Sequence, residues 1–252
     1  TTDDLYQKWM GLGVVDKDAR HSYVTNAQLC VILNNILQYE RNGIHRYYDV
    51  FREDSYYDDV MTMDALGVLS GSDGYFLPNE PITRQMAISA IAKAFGYEAL
   101  EAGPTTYLDD GEISDEARGA CLLCQENNWI TGDKLRPQDN MTQGELLWLL
   151  DKLINDVVDG GNLSGTYYSG IVATGGSVTL QDATVYGGIY IIAGDQEISL
   201  TIENATITGN IHISQRVQET HNTKPTLMID GSHVGGVVID SDCALTLNAT
   251  VD

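Results

Sequence analysis

The chain has 252 residues, 43% of them hydrophobic, and sets 36 acidic side chains against 14 Lys and Arg, a formal net charge of −22. That balance excludes nucleic acid as a partner, because too few cations are present to neutralise phosphates, and it excludes an anionic membrane surface. No apolar run approaches the roughly 20 residues that span a bilayer, no signal peptide is visible, and the length suits two modest domains.

Residues 1–159 read as one unit written three times, over about 1–44, 45–104 and 105–159. The first copy is short. Leu12-Gly13-Val14-Val15 is followed by Val24-Thr25 and a helical stripe of Leu29, Ile32, Leu33, Ile36 and Leu37. In the second, Tyr47-Tyr48-Asp49-Val50 leads into a helix ending near Leu66-Gly67. A loop marked by Gly67, Gly71, Pro78 and Pro81 comes next, and Thr83 then caps a helix with Ala87, Ile88, Ile91, Ala94 and Phe95 on one face. The third repeats the order with Tyr107-Leu108-Asp109, Trp129-Ile130-Thr131-Gly132, Leu135, Pro137 and Thr142, then Leu146, Leu147, Leu150 and Leu153. Thr142-Gln143-Gly144-Glu145 is a capping box and Thr25-Asn26-Ala27-Gln28 its Gln version. Each unit is too small to bury its apolar face alone. Packing the helices that begin at Thr25, Thr83 and Thr142 about a common axis makes one core.

This order of elements resembles the S-layer homology (SLH) family. The resemblance rests on the aromatic-x-Asp-Val start (Tyr47, Asp49, Val50), the G-V-x-x-G turn (Gly67, Val68, Gly71), Phe76-x-Pro78 and the Ile82-Thr83-Arg84 helix start; Gln85-Met86 stands where the family has Ala-Glu. It implies an N-terminal all-α, pseudo-threefold trimer of SLH units. Such trimers bind anionic, often pyruvylated, secondary polysaccharides of the Gram-positive cell wall in grooves between units. Carried over by position, the ligand residues are Arg84, Asp49, Gly67 and Gly71. Arg84 also stands out by itself. A cation in the first helical turn opposes the helix dipole, whereas a guanidinium beside a glycine loop suits an anion. The alternative is a pairing with a carboxylate such as Asp49 or Glu80. Asn26 and Gln143 take the arginine's place in the other units, so at most one groove keeps the full pattern, unless Lys134 and Arg136 substitute in the third loop. The resemblance further implies a secreted protein of the cell wall or S-layer, with its leader removed ahead of Thr1.

Cys121 and Cys124 form a C-x-x-C without a second ligand pair. With Cys30 and Cys243 they read as packed thiols, so no metal or other cofactor is expected.

From residue 160 onward β-branched residues alternate with polar ones at period two. A corner column runs Ser164, Asp182, Asn204, Gly231, Asn248 and a second runs Gly170, Gly188, Asn210, Gly236. Rungs of this kind predict a parallel β-helix over 160–252, with Ile189, Ile211 and Val237 stacked inside beside Ile191, Ile213 and Ile239. An antiparallel sandwich explains the alternation but not the columns. An insertion over 216–225 holds the segment's cations, Arg216 and Lys224. His212 is expected to face outward, His212, His221 and His233 lack metal spacing, and Tyr167, Tyr168, Tyr186 and Tyr190 offer a strip for packing or sugar stacking.

Together these readings predict a non-catalytic surface protein, anchored to wall polysaccharide and displaying its second domain for structural, glycan or protein contact. The alternatives are a polysaccharide-binding or lyase-like protein with an SLH tether, and a structural module whose SLH units have lost their ligand.

Overall fold

A computed structural model describes residues 2–39, 43–192, 197–213, 225–239 and 243–251. The chain forms two compact units. The first is Thr1–Asn35 with Glu40–Asp151; the second is Ile36–Tyr39 with Lys152–Asp252. The division therefore falls ahead of the composition change at residue 159, and the first strand already begins at Ile154.

The helices are α1 (Thr2–Gly11), α2 (Asn26–Leu37), α3 (Tyr57–Ala65), α4 (Arg84–Ala94), α5 (Asp115–Glu126) and α6 (Gln143–Leu153). Helices α1, α3 and α5 end alike. Gly13, Gly67 and Asn128 take left-handed φ of 69°, 69° and 52°. The next residue in each case, Val14, Val68 or Trp129, turns its N–H back to the carbonyl of Trp9, Met63 or Cys124. This is a Schellman closure, for which Gly and Asn are the low-strain residues. Val14, Val68 and Trp129 are all buried.

The starts of α2, α4 and α6 are tied to one another. Ile82 N–H donates to Val24 O, Val24 N–H to Met141 O and Met141 N–H to Ile82 O, each at 2.9 Å. Single antiparallel bridges, Tyr23 with Thr142, Thr25 with Pro81 and Thr83 with Asn140, flank this closed three-membered ring. Leu29, Leu33, Ile88, Ile91, Leu146, Leu147 and Leu150 are fully buried on the helices that leave it.

Two of the three helix starts carry the expected capping box. Thr25 N–H meets Gln28 Oε1 at 3.0 Å and Gln28 N–H meets Thr25 Oγ1 at 3.2 Å. Thr142 and Glu145 do the same at 3.0 and 3.3 Å. Thr83 does not behave as expected: its backbone is in cap geometry, but its hydroxyl makes no cap bond and is buried with no partner among the described residues. The reciprocal half of the box is missing as well, because Met86 at the third helical position has no side-chain acceptor to return to the Thr83 N–H.

The C-terminal unit corrects the fold expected from the sequence. The chain is a mixed α/β protein, and residues 160–252 are not a clear all-β parallel β-helix. Strands β1 (Ile154–Tyr167), β2 (Gly170–Val185), β3 (Ile189–Ile191), β4 (Ile198–Glu203), β5 (Thr206–Ile213), β6 (Thr226–Ile239) and β7 (Ala244–Val251) form one sheet. Parallel pairings close β2, β3, β5, β6 and β4 into a five-strand barrel, with β1 on β2 and β7 on β6 as extra strands. The expected corners do not divide the chain into uniform rungs. β2 runs 16 residues, through Asp182, and pairs with four different strands.

Asp182, Asn204 and Gly231 do bend in left-handed conformation, but in β1 Gly165 rather than Ser164 has the positive φ. The second column has another cause. A Cβ on Gly170 would stand 2.9 Å from Gly188 O, and one on Gly188 2.6 Å from Asn210 O, so these two positions are bare because neighbouring main chain approaches closely, whereas Gly236 meets the Asn210 side chain.

Ile171, Ile189, Ile191, Ile211 and Ile213 fill the barrel, with Val237 and Ile239 partly buried against them. Tyr190 is buried, whereas Tyr168 and Tyr186 are exposed and stack at 5.9 Å. Arg216, His221 and Lys224 lie outside the described residues. His212 lies on the outer face, as alternation suggests, but it is not the exposed residue that an outward position implied. It is 3% exposed, stacked on Tyr190 at 5.0 Å and bonded through Nδ1 to Tyr39 Oη at 2.7 Å. Its Nε2 has no partner among the described residues. Cys30, Cys121 and Cys124 are buried free thiols, and burial pushes Cys121 and Cys124 up to about 12. No cluster of metal-binding side chains occurs among the described residues.

Two outcomes follow. Met86 is exposed, so Met86→Gln should complete the third capping box and raise unfolding free energy by about 1 kcal/mol in chemical denaturation. Burial lowers the His212 pKa from 6.5 to about 4. The unfolded chain thus binds the extra proton first, and stability falls as pH drops from 6.5 toward 4, by roughly 3 kcal/mol. His212→Gln should flatten that segment of the pH–stability curve.

Candidate functional site

The starts of α2, α4 and α6 each engage, through a side chain and two main-chain N–H groups, the loop that precedes another of the three. Asn26 Nδ2 donates to Leu77 O at 2.9 Å, and the N–H groups of Asn26 and Ala27 to Glu80 O and Pro78 O. Arg84 Nε donates to Leu135 O at 2.8 Å, and the N–H groups of Arg84 and Gln85 to Asp139 O and Pro137 O. Gln143 Oε1 accepts from Ala19 N–H at 2.9 Å, while the N–H groups of Gln143 and Gly144 reach Ser22 O and Arg20 O. The position after each threonine is thus a connector, filled once by a cation and twice by an amide.

Arg84 itself is 4% exposed. Its Nη1 pairs with Glu145 Oε1 at 2.9 Å rather than with Asp49 or Glu80. Burial works to lower the guanidinium pKa and Glu145 works to raise it, with burial the larger effect. For Glu145, burial works upward, but the Thr142 N–H, Arg84 and Arg136 hold the carboxyl below its ordinary value. Arg136 also pairs with Glu145, so one carboxylate is shared by two guanidinium groups and a cap.

Asp49 accepts the N–H of Phe76 through Oδ1 at 2.9 Å and of Leu77 through Oδ2 at 2.8 Å. Asp109 does the same for Leu135 and Arg136 at 2.9 and 2.8 Å. In both loops the second of these residues, Leu77 or Arg136, is left-handed, with φ near 57° and 55°. Burial tends to raise the Asp109 pKa, yet these N–H donors hold it below the ordinary range.

Gly71 donates its N–H to Tyr47 Oη at 2.9 Å, and a Cβ there would lie 2.1 Å from Tyr75 O. Gly67 closes α3 with open space around it. The structure therefore brings Asp49 and Gly71 into one loop, sets Gly67 at the preceding helix end, and directs the Arg84 side chain into the next repeat's loop. The four do not converge on a single point.

Two concavities do open on this unit. The larger, of about 820 Å³, is lined by Lys17, Tyr23, Gln28, Asn35, Tyr56 and Asn79, among others. Lys17 is exposed, and Tyr23 is 56% exposed. Gln28 and Asn35 are already held by Thr25 N–H and Val14 O, so this wall is fixed. The second, of about 460 Å³, shares Tyr23 and is bordered by Arg136, Gln138, Asn140 and Glu145. Sequence reasoning missed this lining because Lys17 and Tyr23 sit in the shortened first loop, away from the motif positions. The cationic signal there is weak, since Lys17 stands between Asp16 and Asp18, and Asp16 lines the same concavity.

Residues 46–87 match the S-layer homology domain. Over 144 residues, 55% of this chain, the sequence is 24% identical to the "Surface-layer 125 kDa protein" of Lysinibacillus sphaericus. The chain spans about 12% of that relative's length. The segment that holds Asp49, Gly67, Gly71 and Arg84 is thus similar to the S-layer homology domain, and a similarity reaching beyond it leads to a surface-layer protein.

Proposed function

We propose that this is a non-catalytic cell-surface protein. Its first unit anchors it to the cell wall through three S-layer homology-type repeats, and an acidic wall polysaccharide is the ligand. The observation that carries this reading is the groove of about 820 Å³ beside α2, with an exposed lysine and an exposed tyrosine on its walls. That volume suits a few sugar rings. Tyr23 and Tyr56 offer faces for pyranose C–H groups, Asn79 offers amide donors and acceptors, and Lys17 offers a counter-charge for a carboxylate. Arg84, Asp49, Gly67 and Gly71 enter this proposal as positioning residues that set the loop shapes. The second unit is displayed away from the wall and makes its own contacts.

The test is co-sedimentation of the full chain with purified cell-wall sacculi, before and after the secondary polymer is stripped. Binding is expected only before stripping, and Lys17→Ala and Tyr23→Ala should each weaken it by about tenfold, or about 1.4 kcal/mol. Equal sedimentation of both variants with wild type, or no sedimentation at all, overturns the reading.

Arg84→Ala is expected to act on stability. It should cost about 3 kcal/mol, the low end for a broken buried pair, because Glu145 keeps Arg136 and Thr142. The sign with pH is fixed by Glu145. Its carboxyl titrates lower in the folded state, so its contribution is complete above the unfolded pKa near 4.3 and is lost as pH falls through the folded value. Thermal melts of wild type and Arg84→Ala should converge on acidification below about pH 4.

A further inference from the structure

We infer that the outer wall of the second unit carries a track for a neutral, extended glycan, with paired tyrosines at one end and a polar notch at the other. The inference concerns the second unit and does not depend on the wall-binding reading.

Side chains on a strand alternate between faces, and the core fixes the assignment here. Tyr167, Val185, Ile207 and Val234 pack toward the barrel interior, so Thr166, Thr184, Thr206 and His233 point outward. Those four stand in one register row across β1, β2, β5 and β6. Three strand spacings of about 4.8 Å make the row roughly 14 Å long. Each spacing is close to the length of one pyranose residue in an extended chain.

Just past the ends of β1 and β2, two positions on from Thr166 and Thr184, stand Tyr168 and Tyr186. Their rings lie 12° from parallel with centroids 5.9 Å apart. Rings in full face contact would sit about 3.5–4 Å apart, so these two are offset, and they are 83% and 53% exposed. A ring with a phenol hydroxyl offers one apolar face and one polar group together, which suits the C–H face and hydroxyls of a sugar.

At the other end, Gly231 leaves a gap in the corner column between Asn204 and Asn248. No atom lies within 4 Å of the place its Cβ would take. The result is a notch of about 460 Å³, bordered by Asn204, Thr206, His233, Asn248 and Thr250. Asn204 and Asn248 donate their amide N–H groups to Asp182 and Asp230, which fixes both side chains in orientation. Thr206 and His233 belong to the row and to the notch, so the two form one surface.

Charge selects the class of ligand. Strands β1–β7 contain no Lys or Arg, and Asp182 and Asp230, which flank the row, are both carboxylates. An acidic sugar would be repelled there. Hydroxyls, amides, an imidazole and two phenol rings remain, a set that fits a neutral glycan. An even row of strands favours a ribbon-like chain, such as equatorially linked (β-1,4) pyranoses form.

The experiment is titration calorimetry of the full chain with cellohexaose and with the β-1,4-linked N-acetylglucosamine hexamer, against a galacturonate hexamer as the acidic control. Saturable heat is expected with a neutral hexamer and none with galacturonate. Tyr168→Ala and Tyr186→Ala, both at exposed positions, should each weaken binding about tenfold without lowering the melting temperature. Tyr168→Phe keeps the ring and should bind like wild type. Gly231 has φ of 58°, a conformation that Asn tolerates, so Gly231→Asn should fold, fill the notch and weaken binding as well. Lys17→Ala, aimed at the first unit, should leave this binding unchanged, which separates failure here from failure of the wall-binding reading. No heat with either neutral hexamer, wild-type affinity in the alanine and Gly231→Asn variants, loss in Tyr168→Phe or Lys17→Ala, or tighter binding of galacturonate overturns the inference.

Discussion

Three main-chain hydrogen bonds hold the first unit in its arrangement: Val24, Ile82 and Met141 each donate to one of the others and accept from the third. Each of these residues stands directly before a threonine that begins a long helix. The ring therefore fixes where α2, α4 and α6 start, and every helix start then reaches one loop onward around the same cycle. A main-chain bond between two segments is worth only about 1 kcal/mol net. Its structural weight is larger, because all three segments are buried and an unmade bond would leave a donor and an acceptor dry. No one of the three segments can satisfy these groups alone.

Seen from that ring, the chemistry of the connector position becomes plain. Asn26, Arg84 and Gln143 all reach toward the neighbouring loop, and the site has room for either an amide or a guanidinium. The cation in the first turn of α4, unfavourable by the local dipole argument, is stabilised by Glu145, which the sequence places in a different repeat. Local reasoning flagged the anomaly correctly and looked for the compensating anion in the wrong place. Distance along the chain gave no hint of the pairing, although the repeat itself did. Glu145 belongs to the capping box of α6, and the ring delivers that box to the start of the preceding repeat's helix.

Legibility in the second unit follows the same division between local and non-local. Period-two alternation exposed the strands, and the register columns Ile171–Ile189–Ile211–Val237 follow the apolar positions read along the chain. Closure could not be read, because pairing β2 to three later strands depends on which backbones meet rather than on any one segment's pattern. Gly170 and Gly188 illustrate this: they look like turn formers, but the requirement is close approach of neighbouring main chain, Gly188 O and Asn210 O. His212 failed for a related reason: alternation placed it correctly on the outer face of the barrel, but nothing in residues 204–213 signals that Tyr39 covers that face.

Charge joins the two halves of the functional argument. A chain of net charge −22 is repelled at long range by any acidic polymer, so steering cannot bring it to the wall. On the proposed wall-binding role, recognition rests on short-range contacts inside a concavity, where aromatic faces contribute independently of charge. Over a Debye length of about 8 Å at physiological salt the repulsion is mostly screened, whereas contacts within the groove lie inside that length and persist. Acidity here does not drive association; it leaves recognition to short-range contacts.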